Sequence, residues 1–355
     1  MRDDRDELLE IARRVVQMAR LGADVAEVGI GSSWELSAKV RLGEPELVEE
    51  AGQRGLSLRV IRDGRLAMTS TSDLSQSGLD LLVKDALELA ELSEVDPAMG
   101  PAPAELICQP PHPDLDLFDP TVSNIDAAEA LDRARRAERA ALDADKRITL
   151  SEGATFARTS STRVMVLSGG FEGVQRGSYA SLSVVPVVLD EGDKRRRGHY
   201  WTARRYLADL EDGQFVGEEA ARRTLAKLGS KKVKTGEAPI IFDADSARSI
   251  VSTFAGTIVG GALWRKSSYL LDRMGTEVAS SLVSIVDDPF IPRGPGSRAF
   301  DGEGLRSRKN VLVDGGVLRS FLLDCYSARK LGLESTASAS RGGGSIGPSS
   351  TNLIM

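Results

Sequence analysis

A chain of 355 residues, 41% apolar and 28% charged, can fill two or three units and a sizeable core, and its formal net charge of −6 lacks the basic balance of a nucleic-acid binder. The basic runs Lys194 to Arg197, Arg204-Arg205, and Lys231-Lys232 with Lys234 read as solvated strand and turn positions. Two histidines, His112 and His199, leave little material for histidine catalysis or zinc binding; Cys108 and Cys325 form no paired motif, and neither an apolar run of about 18 residues nor a signal-peptide core occurs, so a cytoplasmic protein without membrane or nucleic-acid partners is expected.

The first helix is expected over about 4–20, where Leu8, Ile11, Ala12, Val15, Val16 and Ala19 recur at helical spacing, with Gly22 as its stop. Strands follow at Ala26 to Ile30, Trp34 to Leu42 and Leu56 to Ile61, and Asp63-Gly64 turns into Leu66 to Thr69. Asp73 is expected to cap a helix over about 75–92. Together these make an N-terminal α/β unit over 1–94. Seven prolines between 95 and 123 make that segment a stiff connector.

A second α+β unit, 124–236, starts with a helix over about 125–144. Strands at Ile148 to Ala157, Thr162 to Leu167, Ser178 to Leu189 and His199 to Tyr206 follow, then a helix over about 216–228. The order helix, then antiparallel strands, resembles that of the first unit, a hint of internal duplication. The C-terminal unit, 237–355, opens with a short buried strand, Pro239 to Phe242. Asp243 or Asp245 caps a helix from Ser246 to Val259, stopped by Gly260-Gly261. Strands are expected at about 278–286 and 309–323, the latter folded at Asp314-Gly315-Gly316. The stretch from Arg341 to Ser345 is expected to be flexible, and Thr351 to Ile354 begins like a strand.

Four constellations bear on chemistry. Cys108 and His112 lie four apart across two prolines, which prevent helical pairing, and without a second pair they read as connector residues. His199 follows a run of arginines, no Gly-x-Ser-x-Gly elbow accompanies it, and it reads as an exposed strand end. Ser168 to Gly177 is glycine-rich but lacks the Gly-Lys-Ser/Thr ending of a phosphate loop, and reads as a hairpin. Asp287-Asp288 and Asp301 with Glu303 offer oxygen ligands for a cation, yet Asp-Pro and Asp-Gly are turn material and the turn reading is preferred.

Three stretches carry a resemblance: Val216 to Leu225 followed by Ala238 to Phe242; Gly260 to Asp272; and Phe300-Asp301-Gly302-Glu303-Gly304 with Asp314-Gly315 and Tyr326 to Gly332. In this order, with Ser70 to Leu74, they resemble the PmbA (TldE) branch of the TldD/PmbA family, the peptidase U62 or "modulator of DNA gyrase" family, over nearly the whole chain. The resemblance implies an α+β fold, with helices packed on curved, largely antiparallel sheets, and a heterodimeric zinc metallopeptidase that encloses unfolded peptide in a central cavity. The C-terminal TldD/PmbA domain would be truncated or short here.

In the TldD-type subunit a helix carries His-Glu-x-x-x-His. Aligned on the helix after Phe242, those positions hold Val251, Ser252 and Gly256, none of which binds zinc as His or Glu does, and no His follows His199. This chain is therefore expected to have no catalytic or metal-binding residue and no cofactor of its own, with zinc in a TldD-type partner subunit; a homodimer formed alone is compatible. Trp264, Arg265, Lys266 and Ser267, just after that helix, are candidates for facing the shared peptide cavity. The alternatives are a non-proteolytic regulatory protein of the gyrase-modulator type and a self-sufficient hydrolase with an unrecognised site.

Overall fold

The computed structural model describes residues 4–342 and 345–355. The apolar stripe Leu8, Ile11, Ala12, Val15, Val16 and Ala19 folds as α1 (Arg5–Ala19) and is buried entirely. β1 (Val25–Arg41), β2 (Glu44–Arg62) and β3 (Arg65–Thr71) follow, turned by Gly43 and Gly64, both with positive φ. α2 is Gln76–Leu92. After the proline-rich segment and the single turn α3 (Pro120–Ser123) come α4 (Ala127–Asp143), β4 (Leu150–Leu167), β5 (Glu172–Asp190), β6 (Lys194–Arg197), β7 (Tyr200–Arg204) and α5 (Gly213–Leu225).

These seven strands make one antiparallel sheet in the order β3-β2-β1-β4-β5-β6, with β7 also paired to β5. The first strands of the two sequence units, β1 and β4, pair at its centre; α1 packs on β1 and β4, and α4 on β4 and β1. Along β1 the even-numbered side chains share one face. Ala26, Val28 and Ile30 are buried in a core with α1 and α2; Leu36, Ala38 and Val40 in a second core with α4 and α5. The four helices thus cover one face of the sheet and leave the other to the rest of the chain.

The C-terminal lobe holds α6 (Ala244–Thr257), α7 (Gly260–Trp264), β8 (Ile285–Asp287), β9 (Asn310–Asp314), β10 (Val317–Leu318), α8 (Cys325–Leu331), β11 (Ala339–Gly342), β12 (Ser345–Pro348) and β13 (Leu353–Ile354). Its four-stranded sheet runs β10-β9-β8-β13, and β11 and β12 form a separate hairpin. Ile258, Leu263, Leu312 and Leu322 centre its core. The proline-rich segment ties the lobes together: Tyr326 and Lys330 donate to Asp96 at 2.8 and 2.9 Å, and the Cys108 amide donates to the Gly304 carbonyl at 2.8 Å.

Several local expectations are corrected. The breaks expected between Ile30 and Trp34 and between Ala157 and Thr162 do not exist, because Gly31 to Ser33 are paired on both sides and Arg158 to Ser161 lie between β1 and β5. Ser75, not Asp73, caps α2; Asp73 accepts from the Ser75 amide instead. Pro239 to Phe242 is not a buried strand: it finds no partner strand among the described residues, and Ile241 is 97% exposed. The strand expected at 278–286 shrinks to Ile285–Asp287. Gly260 opens α7 rather than ending a helix, and what requires glycine there is packing: a Cβ would strike the Ser327 hydroxyl at 2.0 Å. Gly342 and Ser345 pair across the β11–β12 hairpin instead of being flexible; Gly343 and Gly344 lie outside the described residues.

Candidate functional site

On its uncovered face the large sheet carries few bulky side chains. The registers of β1 with β2 and β4 align Ser57, Gly29 and Met165 in one row and Gly55, Gly31 and Arg163 in the next; β5 continues these rows with Gly173 and Gln175, and β3 extends the first with Ser70. These residues floor a cavity of about 620 Å³. Its other wall comes from the C-terminal lobe: Arg298, Phe300, Asp301 and Gly302, with Ser340, Arg341 and Gly342 of the hairpin. That volume falls among those of small-ligand sites, which span roughly 300–1,000 Å³.

Packing within the chain does not account for Gly55, where a Cβ would meet nothing nearer than the Thr71 carbonyl at 3.7 Å; a Cβ on Gly29 would press on the Ser57 hydroxyl at 3.3 Å, and one on Gly31 on the Thr162 carbonyl at 3.1 Å. None of them has positive φ. Glycine inside a strand loses about 0.5–1 kcal/mol relative to alanine and often marks close approach of a ligand or another backbone. Gly173 differs: Phe300 and Phe171 already fill the space its side chain would need.

The charge in the cleft is mainly positive. Asp301 is the one carboxylate among the described lining residues, and its oxygens accept the Glu303, Leu305 and Ala339 amides at 2.9, 3.0 and 3.1 Å. Burial pushes the Asp301 carboxyl up despite those bonds. Arg341 donates to the Gly302 carbonyl and to Glu27, whose other oxygen accepts from Arg59 at 2.9 Å. Burial alone would raise the Glu27 carboxyl, but the adjoining Arg59 and Arg341 outweigh it and hold it below the usual range. Arg298 gives one N–H to the Ala339 carbonyl at 2.7 Å. Its Nε and Nη2, and Nη1 of Arg341, are shielded from solvent and have no partner among the described residues.

Behind this wall, Glu303 accepts the Cys325 amide at 2.8 Å and is pushed up to about 7 by burial and by Asp301. Asp301 makes the amide contacts of a turn, as does Asp288 with the Phe290 amide at 2.9 Å. Asp287 is buried in β8 and bonds Thr351. No group of three or more His, Cys, Asp or Glu suited to a metal ion occurs among the described residues.

The other candidates fall elsewhere. Cys108 and His112 do approach, with Sγ 3.4 Å from Nδ1 across a bend rather than a helix turn; burial raises the thiol, which disfavours the reactive thiolate. His199 is exposed between β6 and β7 and bonds no acid or hydroxyl among the described residues. Ser168 to Phe171 form the turn of the β4–β5 hairpin, with Leu167 N donating to the Phe171 carbonyl at 2.9 Å. On α6, Val251 faces the C-terminal core, whereas Ser252 and Gly256 are exposed. At the end of α7, Trp264 stands edge-on to Tyr326 at 5.8 Å, and Arg265, Lys266 and Ser267 are exposed; none of the four lines the cleft. Sequence reasoning did not single out Gly29, Gly31, Gly55, Arg298 and Arg341. The available signal was glycine inside otherwise alternating strands.

Residues 26–90 match PmbA/TldA metallopeptidase domain 1, residues 120–228 its central domain, and residues 235–355 its C-terminal domain. The chain is 36% identical to Metalloprotease PmbA of Escherichia coli O157:H7 over 332 residues, 94% of this chain and 73% of that protein. Its fold is similar to that of a candidate modulator of DNA gyrase from Bacteroides thetaiotaomicron, with TM-score 0.91 and 27% identity over 99% of this chain and 78% of that one. TldE from Thermococcus kodakarensis shares the fold, with TM-score 0.79 and 20% identity over 97% of this chain and 77% of that one. Among the described residues no helix is long and apolar enough to cross a membrane. Matched in all three of its domains and more than one-third identical to a curated relative over most of its length, this chain belongs to the PmbA/TldD metallopeptidase family.

Proposed function

We propose that this chain is the zinc-less subunit of a cytoplasmic two-subunit peptidase, in which it shapes the cavity and holds unfolded peptide while a TldD-type partner carries the zinc. The observation that carries this reading is α6. Where the resemblance sets His, Glu and His, the helix bears Val251, Ser252 and Gly256, with Val251 turned into the core. These residues do not fit zinc, which takes Cys, His or carboxylate donors, so no hydrolytic step is assigned to this chain. The relative from Escherichia coli is described as a metalloprotease; on this reading the metal chemistry belongs to the complex. Strand addition is the grip we favour for extended peptide, since main-chain hydrogen bonds hold a chain without regard to its sequence. The segment Trp264 to Ser267, exposed from Arg265 on, is the part we place toward the partner's cavity.

Pull-down of the tagged chain from its native cell, mass spectrometry, and a peptidase assay of the recovered complex test the proposal. Co-purification of a TldD-type protein with chelator-sensitive cleavage is expected. Cleavage by the isolated, metal-stripped chain would sink it. Recovery of gyrase with no TldD-type protein would instead favour a regulatory role, the reading to which the description of the Bacteroides neighbour points.

A further inference from the structure

The cleft holds three features that the α6 argument leaves unused. Its floor is emptied by Gly29, Gly31 and Gly55 where two rows of side chains would otherwise stand. Its wall contains two arginines with three guanidinium nitrogens whose N–H groups nothing among the described residues accepts. Its one lining carboxylate, Asp301, is committed to backbone amides.

A buried donor left unmade is costly, and such groups in native proteins are nearly always satisfied by a partner. Neutral acceptors would satisfy single N–H groups. A planar carboxylate matches the fork of a guanidinium better and adds charge to the bond. Arg298 and Arg341 are anchored at one backbone contact: Arg298 and the Gly302 amide both donate to the Ala339 carbonyl, and Arg341 donates to the Gly302 carbonyl. Both arginines line the same wall of the cleft. Arg163, exposed on β4 next to Gly31, adds a third cation to the lining. At Gly29, Gly31 and Gly55 the floor offers backbone, flanked by the Met165, Arg163 and Gln175 side chains, a narrow strip that suits an extended main chain better than a bulky ring system.

We infer that the cleft is a subsite for the C-terminal end of an extended peptide, with its free α-carboxylate between Arg298 and Arg341 and its last residues lying on Gly29, Gly31 and Gly55. This rests on the reading of the chain as a peptide holder, and it names which end of the peptide is held. It needs no partner subunit, so binding to the chain alone tests it, whereas the pull-down tests the peptidase assignment.

The experiment is fluorescence anisotropy with the full chain and an N-terminally labelled pentapeptide of alanine, glycine and leucine, as the free acid and as the C-terminal amide. The free acid should bind at least about tenfold more tightly than the amide. Arg298→Gln should remove most of that difference. Gly55→Val, for which the floor has room, should weaken both peptides by filling the site while leaving thermal unfolding close to wild type; it decides the matter if Arg298→Gln fails to fold. Equal binding of acid and amide, or binding of neither, overturns the inference. An amidated peptide ending in glutamate that matches the free acid overturns the chain-end assignment in favour of a side-chain carboxylate. Binding of inorganic phosphate with no peptide bound overturns it in favour of a bare oxyanion.

Discussion

Glu303 shows what a single buried carboxyl does to this fold. It accepts from the Cys325 amide and thiol, and Asp301 nearby adds a like charge. Its folded pKa, about 7, lies above the ordinary 4.5, so the folded state binds this proton more tightly than the unfolded chain. The stabilising contribution is complete below the ordinary value and is lost as pH rises through about 7, at a limiting slope of about 1.4 kcal/mol per pH unit. Glu303→Gln keeps an acceptor for the amide and cannot ionise. Urea unfolding between about pH 5 and pH 8 should show the variant gaining on wild type as pH rises and levelling above about 7. A difference independent of pH would mean that Glu303 titrates like an exposed carboxyl. Glu27 has the opposite sign, since Arg59 and Arg341 hold its charge, and subtracting wild type from the variant cancels it.

At the level of elements, what could be read in the sequence was what depends on local pattern. α1, α2 and α4 carry clear apolar periodicity and stand where expected. The errors share a cause. β1 and β4 run unbroken through Gly31-Ser32-Ser33 and Arg158 to Ser161, where the residues look like turns but have ladder partners on both sides. Apolar Pro239 to Phe242 looked buried, yet burial requires a neighbour that periodicity cannot supply. Helix contacts follow steric rules that are equally invisible from one strand of text. α4 and α5 approach so closely that a Cβ on Gly217 would lie 2.4 Å from the Ala137 carbonyl. Gly217→Ala should therefore force the helices apart and destabilise by about 1–3 kcal/mol, although alanine favours helix. An unchanged urea midpoint would show that the α4–α5 contact is looser than described. α6 makes a prediction of a different kind. With Val251, Ser252 and Gly256 in place of metal ligands, the zinc-loaded and desalted chain should retain far less than one zinc per chain by elemental analysis. About one tightly held zinc would overturn the zinc-less assignment.

Across the whole molecule, the cleft was the least legible feature because its residues come from strands β1 to β5 and from a lobe more than a hundred residues later. Only the register brings Gly31, Gly55 and Arg163 into one row, and only the packing of the lobes sets Arg298 above them. The Arg265-Lys266 pair raises the complementary question, since it was legible in sequence yet lies outside the cleft on an exposed turn, with Arg265 stacked over Trp264 at 5.1 Å. An exposed pair of cations on a monomer is ordinarily a solvated surface of little energetic consequence. In the proposed heterodimer its position changes that expectation. It follows α6, the helix corresponding to the partner's zinc helix, so a pseudo-two-fold assembly would turn both segments toward one cavity where the partner's wall excludes water. Cations there would attract peptide carboxylates and bond peptide carbonyls, and each lost charge-assisted bond would cost about 1.5–3 kcal/mol. Arg265→Glu with Lys266→Glu should therefore raise the apparent Michaelis constant of the complex at least about tenfold while leaving assembly by gel filtration unchanged. The same double variant should leave free-acid pentapeptide binding to the isolated chain intact, because the pair is not in the cleft. Wild-type turnover by an assembled double variant would reduce the segment to a solvated turn and remove it from the cavity.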